Sequence, residues 1–287
     1  MSETRTVSTD AGPVEVMLVP GDRPPVLFFP GGHCTGRSDC GWGLYSESGH
    51  AVVSFSRPGY GATRVGRLGA AEFAPLVRQA CRQLDITTVA AAVGVSFGGM
   101  QAVHVAADPE LAVPRLVLHS CAPSRLPYPD TRAEAIGGPV LFSPLLQGLV
   151  WQVIRRMIRS DAGLRRVMAR LSTIPIGDWW PQLSCDDREV ARTVFRSMRS
   201  DSGFVNDLRQ GRARHFAERR DALASVRCPT LVTGSPHDRG VRFAHAEDLA
   251  DAIPGATLVA LDSPSHLFWL GPGRDRLAAA VSSFIDI

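Results

Sequence analysis

Among its 287 residues the chain places a serine at 96, an aspartate at 238 and a histidine at 266, in settings that suit nucleophilic attack on a carbonyl. A serine hydroxyl is a poor nucleophile at neutral pH; it needs a base beside it, and the base needs an acid to orient it. Ser96 stands in Gly94-Val95-Ser96-Phe97-Gly98, after the apolar run Val89–Val93 and before a helix-prone stretch. That is the setting of a nucleophile elbow, a strained strand-to-helix turn that lifts a hydroxyl above a sheet. Glycines flank such a turn because backbone segments approach closely and the nucleophile sits in an unfavourable φ/ψ region. A serine that merely capped the helix would explain neither the glycines nor the partners.

The candidate base, His266, ends Asp262-Ser263-Pro264-Ser265-His266, directly after the last expected strand. The candidate acid, Asp238, ends Gly234-Ser235-Pro236-His237-Asp238, directly after the strand before it. Open α/β sheets place their ligand chemistry in loops at strand C-termini. Asp238 has a simpler reading as a surface ion pair with Arg239 or Arg242, and His266 one as a hydrogen-bonded core residue. His237 reads as a loop residue, and His104 and His119 as structural residues on core elements. His33, His237 and His266 with Cys34 match no local ligand spacing, so neither a metal nor a cofactor is expected.

Short β-branched runs alternate with helical patterns around these residues. Strands are expected at Thr4–Ser8, Val14–Val19, Val26–Phe29, Ala51–Phe55, Val89–Val95, Arg115–His119, Thr230–Thr233 and Thr257–Leu261. Helices are expected at Ala71–Leu84, Gly98–Ala107, Phe243–Ile253 and Arg274–Phe284. The alternation predicts an α/β protein: a mostly parallel eight-stranded sheet with helices on both faces. Residues 124–221 show helical patterns without a strand and hold 17 of the arginines. They read as an inserted all-helical cap between core parts 1–123 and 222–287.

The elbow, acid and base, in the order Ser96, Asp238, His266, resemble the α/β-hydrolase fold superfamily over essentially the whole chain. The resemblance implies an oxyanion hole that uses the N–H of Phe97 and a second N–H from the loop after the third strand. That loop is Pro30-Gly31-Gly32-His33, where many relatives carry a His-Gly pair. Matching Gly31 to that glycine puts the donor at Gly32, with His33 as the next choice. Ser56-Arg57-Pro58-Gly59-Tyr60-Gly61 resembles the superfamily's exit turn after strand four. The implied activity is metal-independent hydrolysis of a carboxylic ester, thioester or amide of a small to medium, largely apolar substrate. The same fold hosts C–C bond hydrolases, lyases, cofactor-free oxygenases and non-catalytic ligand-binding members, so those remain alternatives. Val95 distinguishes this elbow from the Gly-Gly-Ser of proline iminopeptidases, and Ser96 distinguishes it from the aspartate of haloalkane dehalogenases.

Composition narrows the partners. A net charge of +3 is too small to imply nucleic-acid binding, although every one of the 31 basic residues is arginine. Six scattered cysteines without a CxxC pair, and a polar N-terminus without an apolar h-region, point to reduced thiols in a cytoplasm. No run reaches the ~18 apolar residues of a spanning helix. The nearest, Pro139–Ile154, is interrupted by Ser143, Pro144, Gln147 and Gln152. Within it, Leu141, Leu145, Leu146, Leu149, Val150 and Val153 have helical spacing and predict a face buried against the core. The other reading of that face is an apolar roof over substrate or a patch that meets lipid. Trp151, Trp179 and Trp180 are candidates to line a pocket. The expected partner is a small molecule, and homo-oligomerisation is open.

Overall fold

The computed structural model describes residues 2–143 and 145–286, without the side chains of 132–134. Its strands are β1 (Glu3–Thr9), β2 (Gly12–Val19), β3 (Arg23–Phe29), β4 (His50–Phe55), β5 (Ala91–Val95), β6 (Leu116–His119), β7 (Thr230–Gly234) and β8 (Thr257–Ala260). They form one sheet in the order β1-β2-β4-β3-β5-β6-β7-β8. β2 is antiparallel to both neighbours, and every other pairing is parallel. Parallel neighbours need crossovers, which helices supply. These are α1 (Gly43–Glu47) before β4, α2 (Ala70–Gln83) before β5 and α3 (Gly98–Ala106) before β6.

Between β6 and β7 the chain is helical: α4 (Arg132–Leu141), α5 (Gln147–Met157), α6 (Asp161–Met168), α7 (Ile176–Trp179), α8 (Cys185–Ser197), α9 (Gly203–Gln210) and α10 (Phe216–Ser225). A short 3₁₀ turn, Ala169–Leu171, follows α6. α11 (Phe243–Ala252) and α12 (Arg274–Ile285) complete the core.

Period-two burial sorts the sheet into two apolar layers. In β3, Leu27 and Phe29 join one cluster with Phe73 and Val77 of α2, Ala102 of α3 and Leu249 of α11. Val26 and Phe28 face the other way, joining Leu44 and Tyr45 of α1 and Leu277 and Val281 of α12. A strand buried on both faces must be apolar throughout, as β5 is at all of its positions. The second layer also takes in Leu164 and Met168 of α6 and Val194 and Phe195 of α8. The helical segment therefore shares a core with the sheet.

The expected strands occur within three residues of their bounds. The largest offset is at β3, which begins with Arg23-Pro24-Pro25 and shifts register between Arg23 and Val26. Proline has no N–H to donate to a ladder, so this stretch carries no clean strand pattern. α1 was not expected, because its single turn is too short to show a period.

One expectation fails. Leu141, Leu145, Leu146, Leu149 and Val153 are exposed rather than buried against the core. The inward face of α5 is instead set by Trp151, which is buried. Its indole donates to Ser200 Oγ at 2.9 Å, and Gln147 on the same helix hydrogen-bonds the backbone of Ser200 and Asp201. Aromatic bulk and hydrogen bonds outweigh aliphatic periodicity in choosing the face. Among the described residues no helix is long and apolar enough to cross a membrane.

Candidate active site

β5 runs straight into Ser96, whose φ of +52° is rare for a residue with a side chain. The strain is held by sterics and hydrogen bonds. A side chain at Gly94 would come 2.6 Å from Gly99 Cα, and one at Gly98 would come 1.9 Å from the Phe29 carbonyl oxygen. The Ser96 N–H donates to the His119 carbonyl at 3.1 Å, and the Ser96 carbonyl accepts from Gly99 at 3.1 Å. The turn therefore cannot relax without breaking its bond to β6 or pressing on the end of β3.

Asp238 is buried in the loop after β7. Its Oδ1 accepts the N–H groups of Gly240 at 2.7 Å and Val241 at 2.9 Å, which leaves Oδ2 aimed at His266 Nδ1, 2.7 Å away. It makes no ion pair with Arg239 or Arg242, and Arg242 lies near Asp130 instead. Burial works against a charged imidazole, but the Asp238 carboxylate and its hydrogen bond outweigh burial and raise the His266 pKa. The pairing assigns the proton of the neutral ring to Nδ1 and leaves Nε2 as the basic nitrogen. No direct hydrogen bond joins Ser96 to His266; the two line one cavity. Such bonds often shorten only when substrate is present.

The helical segment supplies a third anchor that the sequence did not reveal. The Leu171 carbonyl accepts from His266 N–H at 3.0 Å and from Arg239 N–H at 3.2 Å, so one oxygen ties the base loop to the acid loop. Thr173 N–H donates to the His237 carbonyl at 2.9 Å, and Ser172 pairs with Asp238 in an isolated antiparallel bridge.

The loop Pro30–His33 is anchored by a buried charge. Arg57 Nε donates to the Pro30 carbonyl at 2.8 Å and Arg57 Nη2 to the Gly31 carbonyl at 2.9 Å. Its Nη1 pairs with Asp207 of α9. Burial disfavours the Arg57 charge, but Asp207 and Tyr60 more than offset that and its pKa is raised. Tyr60 donates to Asp207 Oδ2 at 2.6 Å and accepts the His33 N–H at 3.3 Å. Hydrogen bonds within the protein thus occupy the N–H groups of Ser96 and His33, but not those of Gly32 and Phe97. A side chain at Gly31 would stand 3.1 Å from Ser96 Cβ, which shows how closely this loop meets the elbow.

A cavity of about 370 Å³ opens where these parts converge. Ser96, Phe97, Gly31, Gly32, His33 and His266 form its polar end. Phe142, Trp151, Ile154, Phe195, Met198, Phe204 and Trp269 line the rest, with exposed Arg170 at the rim. His33 stacks on Phe204 with ring centres 3.8 Å apart, and its Nδ1 lies 2.9 Å from Ser200 Oγ. Burial, with the charge of Arg57 second, pushes its pKa down to about 3, so the ring is neutral. Trp179 packs in the core, whereas Trp151 lines the cavity. His119 is hydrogen-bonded to Tyr45 and Thr233 in the core, and His237 is exposed. No group of three His, Cys, Asp or Glu side chains that could hold a metal occurs among the described residues.

The site thus assembles Ser96, Asp238, His266, Phe97, Gly32 and His33 from loops after four strands. Leu171, Arg57, Tyr60 and Asp207 join them without having been singled out for it. Arg57 and Tyr60 lay within the exit turn after β4, but nothing local to Asp207 or Leu171 marked either.

The profile of the alpha/beta hydrolase family matches residues 26–280. The chain is 28% identical over 291 residues to the uncharacterized hydrolase YcgS of Bacillus subtilis (strain 168), covering 98% of each chain. An alpha/beta hydrolase fold protein from Nakamurella multipartita superposes with a TM-score of 0.77 at 22% identity, covering 99% of each chain. The esterase EaEST from Exiguobacterium antarcticum superposes with a TM-score of 0.69 at 17% identity, covering 99% of this chain and 100% of that one. At such identities the two structural likenesses speak to the fold.

Proposed function

The chain belongs to the alpha/beta hydrolase family, and from that premise we propose that it is a serine hydrolase cleaving esters of small to medium, largely apolar substrates. Residues 124–221 act in it as a cap on a core made of 1–123 and 222–287. The observation that carries this reading is the Asp238–His266 pair at 2.7 Å, facing the same cavity as a serine held at positive φ. A carboxylate fixed by two backbone N–H groups can do little except orient that imidazole.

The chemistry follows from the geometry. Ser96 Oγ attacks the carbonyl carbon while His266 Nε2 takes the hydroxyl proton. Asp238 holds the ring in the required tautomer and stabilises the imidazolium. The N–H groups of Phe97 and Gly32 receive the charge that develops on the carbonyl oxygen; losing one such donor costs about 10²–10³ in rate. Collapse breaks the bond to the leaving group, which departs with the proton from His266. Water then attacks the acyl-enzyme and gives a proton to His266, and as the carboxylic acid leaves His266 returns that proton to Ser96 Oγ. The apolar lining of the cavity favours acyl and alkyl groups over charged ones.

A fluorophosphonate probe tests the assignment, with mass mapping of the adduct. The expected result is a single adduct on Ser96, absent from Ser96→Ala. Folded wild-type protein that takes no label, or takes it elsewhere, would overturn the nucleophile.

A further inference from the structure

Of the ten large hydrophobic side chains that stand most exposed among the described residues, seven fall between 136 and 153. Ile136 is 73% exposed, Leu145 93% and Leu149 64%, values far from those of a face waiting on its own core. Helical spacing gathers them. Ile136 and Val140 are one turn apart on α4, and Leu149, Val153 and Arg156 follow one line along α5. The opposite side of α5 carries Trp151 and Ile154, which line the cavity. One helix therefore shows apolar side chains to the substrate cavity and to the outside.

The charges beside this face select its occupant. Arg156 in the last turn of α5 and Arg159 just beyond it are exposed, and neither pairs with an acid among the described residues. Elsewhere in the helical segment, Arg188, Arg192 and Arg196 do pair, with Asp161 or Glu189. Arg155, partly buried and close to the charge of Arg199, has a lowered pKa. An apolar strip edged by uncompensated cations matches the boundary between anionic headgroups and acyl chains. A second copy of this chain would set the same unpaired arginines against each other, so charge disfavours a symmetric dimer here.

We propose that the outward face of α4 and α5 docks on an anionic lipid surface, so that the cavity beneath takes its substrate from an amphiphile phase. The docking stands without the nucleophile assigned above, whereas the substrate class rests on it. Binding is therefore measured with Ser96→Ala protein, which separates the two.

The experiment is flotation with vesicles of phosphatidylglycerol and phosphatidylcholine in equal parts, against phosphatidylcholine alone. At least tenfold tighter binding to the anionic vesicles is expected, weakening as salt is raised. Each arginine near an anionic bilayer is worth about fivefold, so Arg156→Gln with Arg159→Gln loses about twenty-five-fold. Leu145→Asp with Leu149→Asp loses at least tenfold, with an unchanged thermal melt. Leu145→Asp alone, at a side chain that touches almost nothing, repeats the loss in a variant that folds. Failure to float with anionic vesicles, or equal flotation of the aspartate variants, overturns the proposal. So does a two-chain mass in light scattering that Leu145→Asp reduces to one, because a second copy then covers the face.

Discussion

Two parts of the inserted helical segment meet the site by opposite means. The run from Leu171 to Thr173, with Asp207 further along, enters through hydrogen bonds and charge: one carbonyl ties the loops of Asp238 and His266, and one carboxylate holds the arginine under the Pro30–His33 loop. The pair α4 and α5 meets the cavity through apolar side chains, Trp151 and Ile154 on α5 and Phe142 just after α4, with the α5 bonds to Ser200 and Asp201 behind them, and leaves its outer face bare. Hydrogen bonds demand particular distances and angles, and an unmet one in a buried place is costly. Apolar contact is non-directional and tolerates repacking. The first part is therefore fit to hold reacting groups in place, and the second to set the shape and entry of a substrate.

The comparison can be broken from the chemical end first. Ser96→Ala should lower kcat for an ester by about 10⁶ with the fold intact by circular dichroism; a residual rate near wild type would end the serine mechanism. Asp238→Asn should cost about 10⁴, measured by steady-state kinetics, because the imidazole would then present the wrong tautomer. Asp207→Ala leaves a buried cation without its partner and should cost about 3–5 kcal/mol in urea unfolding. On the other side, Leu145→Ser should change stability by less than about 0.5 kcal/mol. Similar costs at these two positions would erase the distinction.

The pH profile sharpens it. His266 must be neutral to act as base, and its pKa is raised above its ordinary 6.5. The acid limb of kcat/KM should therefore titrate above 6.5. Asp238→Asn removes the raising charge and leaves the burial, so the limb should move below that value. Stability has the same sign logic: a raised folded pKa stabilises fully below the unfolded value, and that contribution disappears as pH climbs through the folded one. At the cavity wall the effect on turnover is expected to be the smallest of the kinetic ones. Trp151→Ala should shift preference among acyl chain lengths by less than about tenfold, read in KM, with kcat on the shortest ester little changed.

The elbow was legible in the chain because its constraint is local. Gly94 answers to Gly99, which the turn itself brings close, Gly98 to the Phe29 carbonyl at the end of the neighbouring strand β3, and the strand before the turn is uniformly apolar because both its faces are covered. Asp238 and His266 were legible for a related reason: each directly follows a short β-branched run, so order along the chain places them at one edge of a parallel sheet. Tyr60 accepts the His33 N–H, a long-range contact that the sequence around His33 does not show. The aliphatic spacing from Leu141 to Val153 suggested a buried face and proved to be an exposed one.

Periodicity reports that a helix has an apolar side, not which neighbour will cover it. For α5 the packing of Trp151 and the bonds of Gln147 made that choice. The pairing of Arg57 with Asp207 and the reach of the Leu171 carbonyl to His266 join residues far apart in the chain. Neither leaves a trace in its own surroundings, since a backbone oxygen has no residue type and a lone aspartate on a helix is common. Chain-local sterics and element order thus wrote the proposed reacting groups into the sequence, while the contacts that hold them in register exist only once distant segments have packed together.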